Sequence, residues 1–235
     1  MLGKRLNTIV SFCGKPSRIA DVGCDHGYVL KELANNGAQF LIATDISAPS
    51  VKKADDLLKS INYSNYDVRV GDGLSTLTDE DNLDLIVIAG MGGYEIIEIL
   101  SKSKIKLNYL VLQPQNNVVL LRQYLMNNNF IIIKDWVVKD NNRFYNVLKV
   151  KKSDKIQTLS QKDITYGITN LLEYNPDFVE MLMYENAKMT ERLQHITNEK
   201  TRQKFEIMIA NNNYEINSAN NRRKYGKNIK ISRTW

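Results

Sequence analysis

The chain has 235 residues, 43% of them hydrophobic, which suffices for one sizeable α/β core and a smaller appendage. No apolar run reaches membrane-spanning length and residues 1–6 lack the long apolar region of a secretion signal, so a cytoplasmic protein is expected. Two cysteines, Cys13 and Cys24, exclude a disulfide framework or a cysteine metal site, and the net charge of +6 is uneven: residues 1–150 carry 17 basic against 16 acidic side chains, residues 151–235 carry 15 against 10.

In chain order, residues 2–13 read as an amphipathic helix with Leu6, Ile9, Val10 and Cys13 on one face. Lys4 and Arg5 fall on the other face or its flank, where they are plain surface charges or guard a cleft mouth. Residues 19–22 form a buried strand that turns sharply at Gly23 and enters a helix near Tyr28. A strand running through a glycine turn into a helix makes a nucleotide cradle, because the backbone comes close and the helix start offers N–H donors. Here the pattern is Asp21-x-Gly23-x-Asp25-His26-Gly27, so a carboxylate takes the place of a middle glycine. Cys24 reads as a small filler.

Residues 40–44 form a second strand ending at Asp45, about twenty residues beyond the turn, where an acid accepts from ribose hydroxyls. Ser47 and Pro49 open the next helix, residues 50–60. A third strand, residues 66–70, runs into Gly71-Asp72-Gly73, placed for an adenine ring or its amine. The most apolar strand, residues 83–89, is expected at the centre of the sheet and ends in Gly90-Met91-Gly92-Gly93. After a helix over 94–102 comes a fifth strand, 109–112, ending at Gln113-Pro114-Gln115-Asn116. A helix over 118–127 follows, with Arg122 on its polar side, then an antiparallel pair, 130–138 and 144–150, joined by Asp140-Asn141-Asn142-Arg143.

Strand and helix alternate, and Gly23, Asp45, Asp72, Gly90 and Gln113 all fall at strand carboxyl ends. In an open parallel sheet those ends share one edge, where ligands bind. The joint placement fits the seven-stranded, Rossmann-like class I methyltransferases, whose methyl donor is S-adenosyl-L-methionine.

Beyond residue 152 the chain changes character. Two long helices, 177–198 and 200–220, are expected to pair antiparallel as a coiled coil. Phe178, Leu182, Met189, Leu193, Phe205, Met208, Ile209 and Ile216 form the seam, and His195 has no metal role. A domain boundary at 152/153 follows. Arg222, Arg223 and Lys224, with Lys227, Lys230 and Arg233, make a basic tail suited to a polyanion or simply to solvent.

Three stretches carry a resemblance: residues 21–28 (Asp-Val-Gly-Cys-Asp-His-Gly-Tyr), Gly90-Met91-Gly92-Gly93, and Leu112-Gln113-Pro114. Together they resemble the bacterial tRNA adenine N1-methyltransferases called TrmK, which modify adenine 22. The resemblance spans the chain. It implies a cofactor site at Asp21, Gly23, Asp25, His26, Asp45, Ile46, Gly71, Asp72, Gly73, Gly90, Met91 and Gly92. Asp25, His26, Tyr28 and Met91 are the implied catalytic group. Arg5, Gln113, Pro114, Gln115, Arg143, Arg222, Arg223 and Lys224 are implied tRNA contacts, with no metal and a monomeric enzyme. The family usually has alanine at Gly27, a change expected to matter little, and often asparagine at Gln115. The amino-group motif Asn/Asp-Pro-Pro-Tyr/Phe is absent at the fourth strand, which favours a ring nitrogen as acceptor. A noncatalytic RNA-binding scaffold and a methyltransferase for another substrate are the alternatives. The intact glycines and acids count against the first, and the basic appendage against the second.

Overall fold

The computed structural model describes residues 2–15 and 17–225. The chain forms two compact units that meet in sequence at Gly167 and Ile168. In the first, α1 (Lys4–Cys13) precedes β1 (Arg18–Val22), α2 (Tyr28–Asn35), β2 (Phe40–Asp45), α3 (Ala48–Ser60) and β3 (Tyr66–Val70). Then come β4 (Leu85–Met91), α4 (Gly93–Ser101), β5 (Tyr109–Pro114), α5 (Val118–Asn127), β6 (Phe130–Asp140), β7 (Arg143–Lys152) and α6 (Gln161–Tyr166). The seven strands make one sheet in the order β3-β2-β1-β4-β5-β7-β6. The first five are parallel, and β7 runs antiparallel to β5 and β6. β4 is the middle strand, and Leu85 to Ile88 are at most 2% exposed, as expected of an unbroken apolar run covered on both faces. Strand order reverses between β1 and β4, which sets the crevice for a ligand at their carboxyl ends. At the β6–β7 tip, Asn141 and Asn142 take left-handed φ values of 46° and 60°, which suit a two-residue hairpin turn.

Arg122 departs from expectation. It is 1% exposed rather than on a polar face. Its guanidinium forks onto Asp135 at 2.6 and 3.0 Å and also donates to Asn146 Oδ1 and to the carbonyls of Ile164 and Thr165. A buried charge needs a full set of partners, and this one finds them on β6, β7 and α6. Gln157 pairs in the same way with the Ile132 backbone, accepting from its N–H at 2.8 Å. The segment after β7 is therefore stapled to the first unit, which reaches Gly167 instead of stopping at the expected residue 152.

The second unit holds α7 (Ile168–Glu173), α8 (Pro176–Leu193) and α9 (Glu199–Tyr225). Asn175 caps α8 by accepting from Phe178 N at 2.9 Å. α8 and α9 run antiparallel: the Tyr174 hydroxyl donates to Glu215, Asn186 exchanges amide bonds with Asn212 and Asn213, and Arg202 reaches the Leu193 carbonyl. Phe178, Leu182, Met189 and Ile216 are buried, but Met208 is 43% exposed, against its expected place in the seam. Asn212 is buried in the seam, so polar contacts fill part of what the apolar stripe was expected to fill. His195 is exposed. Lys227, Lys230 and Arg233 lie outside the described residues.

Candidate active site

The carboxyl ends of the parallel strands enclose a cavity of about 510 Å³. Asp21, Gly23, Asp25, His26 and Tyr28 reach it from β1 and α2, Asp45 and Ile46 from β2, and Gly71, Asp72 and Gly73 from the β3 loop. Gly90 and Met91 reach it from β4, Gln115 from the β5 loop and Arg5 from α1. Residues far apart in sequence thus meet because every parallel strand delivers its end to one rim.

The β1 turn is tied to its neighbour. Gly23 and Cys24 amides both donate to the Thr44 carbonyl, at 2.8 and 3.0 Å, and the Asp25 amide donates to Asp45 Oδ2 at 3.2 Å. The cradle's donors are therefore spent on β2, contrary to the expectation that they face a ligand. Asp45 accepts also from Ser47 N at 2.8 Å, and Ser47 itself caps α3, so Asp45 is not needed as the cap. Asp25 adopts φ +42°, a left-handed geometry that short polar side chains tolerate. Its carboxylate lies 3.8 Å from His26 Nε2, and the His26 ring stacks on Tyr28 with centroids 5.5 Å apart and planes 13° apart. Both rings are about half exposed.

Asp21 is 3% exposed and has its pKa pushed up to about 7, by burial first and then by the Asp45 charge. Burial, with the same acids, pushes the Cys24 thiol well above its ordinary value, so the buried Cys24 is a filler and no nucleophile.

Gly27 caps α2 at φ +71°, and a Cβ there would fall 2.9 Å from the Ala54 Cα. Alanine at this position is thus not the small change expected from the family pattern: it would be strained and would press on α3. Gly90 sits at a bulge between β4 and β5 with φ +82° and open space around it, which exposes its backbone to the cavity. The Met91 terminal methyl lies against Gly23 and links the two glycine turns.

The remaining expected residues separate. Gln113 is fully buried; it accepts from Arg5 NH1 and donates to the Pro114 carbonyl. Pro114 is buried too, so both hold Arg5 and the β5 loop without lining the cavity. Gln115 donates to the Gly90 carbonyl at 3.2 Å, and Asn116 accepts from Gly93 N at 3.2 Å, so both amides brace the β4 loop. Gly92 caps α4 and does not line the cavity. Arg143 is exposed at the hairpin tip, away from the lining. Arg222 is half-buried, stacks on Tyr174 at 4.9 Å and donates to the Leu172 carbonyl, while Arg223 and Lys224 are exposed. Glu95, not singled out in the sequence, lines the cavity and accepts from Gly92 N; its place three residues after the cap is the signal that could have found it.

Asp21, Asp25, Asp45, Asp72 and Glu95 thus face one cavity whose only cationic counterparts among the described residues are Arg5 and, when protonated, His26. Such a lining fits a cationic adenosine derivative with ribose hydroxyls and no phosphate. Fold and site together define an S-adenosylmethionine-dependent methyltransferase of the Rossmann-like class.

Comparison with known proteins narrows the class. Residues 19–216 match the model of the TrmK family, tRNA (adenine(22)-N(1))-methyltransferase, and the chain belongs to that family. It is 33% identical over 159 residues to the Bacillus subtilis tRNA (adenine(22)-N(1))-methyltransferase, covering 66% of each chain. It is 35% identical over 170 residues to a Mycoplasma pneumoniae protein, covering 70% of this chain and 78% of that one. Among solved structures, Streptococcus pneumoniae Sp1610 in complex with S-adenosyl-L-methionine superposes with a TM-score of 0.81 at 27% identity, over 92% of this chain and 100% of the other.

Proposed function

We propose that this chain transfers a methyl group from S-adenosyl-L-methionine to N1 of adenine 22 in tRNA, using the strand-end cavity of the first unit. The observation that carries the reading is the meeting of Asp21, Asp25, Asp45 and Asp72 with the Gly90-Met91 backbone in one cavity. Bound S-adenosylmethionine supplies an electrophilic methyl on a positively charged sulfur.

Asp45, already fixed by two amides, keeps lone pairs for ribose hydroxyls, and Asp72 stands beside the adenine end. Asp21, once ionised, answers the positive charge of the donor. The acceptor N1 has a lone pair and no proton to remove, so the protein's main task is alignment, worth up to ~7–11 kcal/mol. Asp25 or the Gly90 carbonyl accepts from the N6 amine, raises electron density at N1, and offsets the positive charge that develops on the ring. His26 and Tyr28, already stacked, hold Asp25 or offer a face to the base. N1 lies on the pairing edge, so the adenine must be unpaired or extruded before it can enter. The helical unit, with Arg223 and Lys224 exposed, grips the tRNA backbone. No described helix is long and apolar enough to cross a membrane; the enzyme acts on tRNA in the cytoplasm, as a monomer.

The test is to incubate the chain with labelled S-adenosylmethionine and unmodified tRNA and to map the labelled nucleoside. Label at 1-methyladenosine of position 22 is the expected result. Label elsewhere, or none while the cofactor binds, overturns the assignment.

A further inference from the structure

We propose that the tRNA backbone also docks on the first unit itself, on the flank that α1 makes with the face of β5, β7 and β6 it packs against. The proposal rests on the tRNA methyltransferase reading and adds a surface to it. Lys134 on β6 and Lys149 on β7 are direct cross-strand partners, and Lys151 follows on the same face of β7. Like charges directly opposite one another destabilise a sheet. None of the three makes an ion pair among the described residues. Their ammonium groups lie over aromatic rings instead: Lys134 over Phe12 and Trp136, both at 5.0 Å, and Lys149 and Lys151 over Tyr109 at 5.8 and 5.6 Å.

The helix beside them continues the pattern. Residues 1–20 contain Lys4, Arg5, Lys15 and Arg18 and no acid. Lys4, Asn7, Ser11 and Lys15 are exposed. Arg5 stacks over Tyr145 at 5.4 Å, on the same sheet face, and lines the cavity, so this flank leads to the mouth of the active site. Residues 1–150 have a net charge of only +1, so the concentration of cations here reflects segregation, not overall basicity. Lysines interleaved with aromatic rings suit a phosphate backbone with stackable bases. Lys149 also lies near Gly14 at the end of α1, where a cation complements the helix dipole by about 0.3–1 kcal/mol. One lysine there would be enough, and the dipole does not account for Lys151, Lys4 or the facing pair.

The experiment uses the full chain with two double variants, Lys134→Gln/Lys149→Gln and Lys4→Gln/Lys15→Gln. Each is expected to raise Kd and KM for tRNA about tenfold near physiological salt. Turnover at saturating tRNA and affinity for S-adenosylmethionine should not change. The slope of log affinity against log salt should fall by about two in each. The melting temperature of Lys134→Gln/Lys149→Gln should not drop, since a repulsion is relieved. Unchanged tRNA affinity in both variants overturns the proposal, as does a lower melting temperature with a matching loss of cofactor binding. A wild-type chain that methylates no tRNA sinks the functional reading instead. The docking surface is then judged on binding alone, where both variants must still lose affinity.

Discussion

The two units solve the same problem of buried polarity in opposite ways. The first buries an almost purely apolar sheet and sends its acids to the rim, where Asp21, Asp25, Asp45 and Asp72 meet. The second has a thin apolar seam and fills the rest with side-chain amides and the Tyr174–Glu215 bond. A rigid apolar scaffold can hold a site to fractions of an ångström, whereas a seam of exchangeable polar contacts specifies pairing more than it adds stability. The contrast suits a unit for chemistry and a unit for holding a large substrate.

The largest expected effect divides the units outright. A chain ending at Gly167 should bind S-adenosylmethionine as the full chain does and lose most of its tRNA affinity. Calorimetry and a filter-binding assay read the two. Ending the chain near residue 155 would be a poorer experiment, because it strips the Ile164 and Thr165 carbonyls from Arg122. Within the first unit, Arg122→Ala leaves Asp135 buried without its partner and should cost about 3–5 kcal/mol in denaturant unfolding. Retained stability would mean that water or rearrangement satisfies Asp135. At the rim, Asp25→Ala should lower turnover about 10²–10³-fold with little change in cofactor affinity. Equal losses in both would move Asp25 from the base to the cofactor.

Asp21 sharpens the comparison through pH. Its folded pKa, about 7, exceeds the unfolded value near 4, so the folded state holds the extra proton between them. The stability this confers is complete below about pH 4 and is lost as pH rises through 7. Asp21→Asn should therefore flatten the melting temperature between pH 5 and 8, by an effect on the order of 3 kcal/mol in the cofactor-free chain. Wild-type affinity for S-adenosylmethionine should rise over the same window, and that rise should vanish in the variant. The smallest effect belongs to the second unit: Asn186→Ala should cost about 0.5–1.5 kcal/mol in unfolding and leave turnover with saturating tRNA intact.

What could be read from the sequence was what depends on neighbours along the chain. Strand ends are marked locally, by an apolar run that stops at Gly23, Asp45, Gly71 or Gly90, and parallel topology then brings them together without further information. Ser47 and Gly92 likewise announce the helices they cap. Arg122 was misread because its partners lie on β6, β7 and α6, and a lone arginine on a helix gives no sign of them. The cradle amides were misassigned for the same reason: only the pairing of β1 with β2 brings the Thr44 carbonyl beneath them. Helices α6 and α7, six residues each, are too short to show a period. Met208 was placed by spacing alone, and the buried Asn212 shows that the neighbouring turn of α9 is packed through an amide.

The Thr44 carbonyl that captures two amides of the first turn also decides which molecules stay out. ATP shares its adenosine with the methyl donor, and a glycine turn with free amides would welcome its triphosphate. Here that welcome is withdrawn, and the surrounding carboxylates repel what remains. Selectivity against an abundant competitor is thus written into a backbone hydrogen bond, with no residue set aside to reject it.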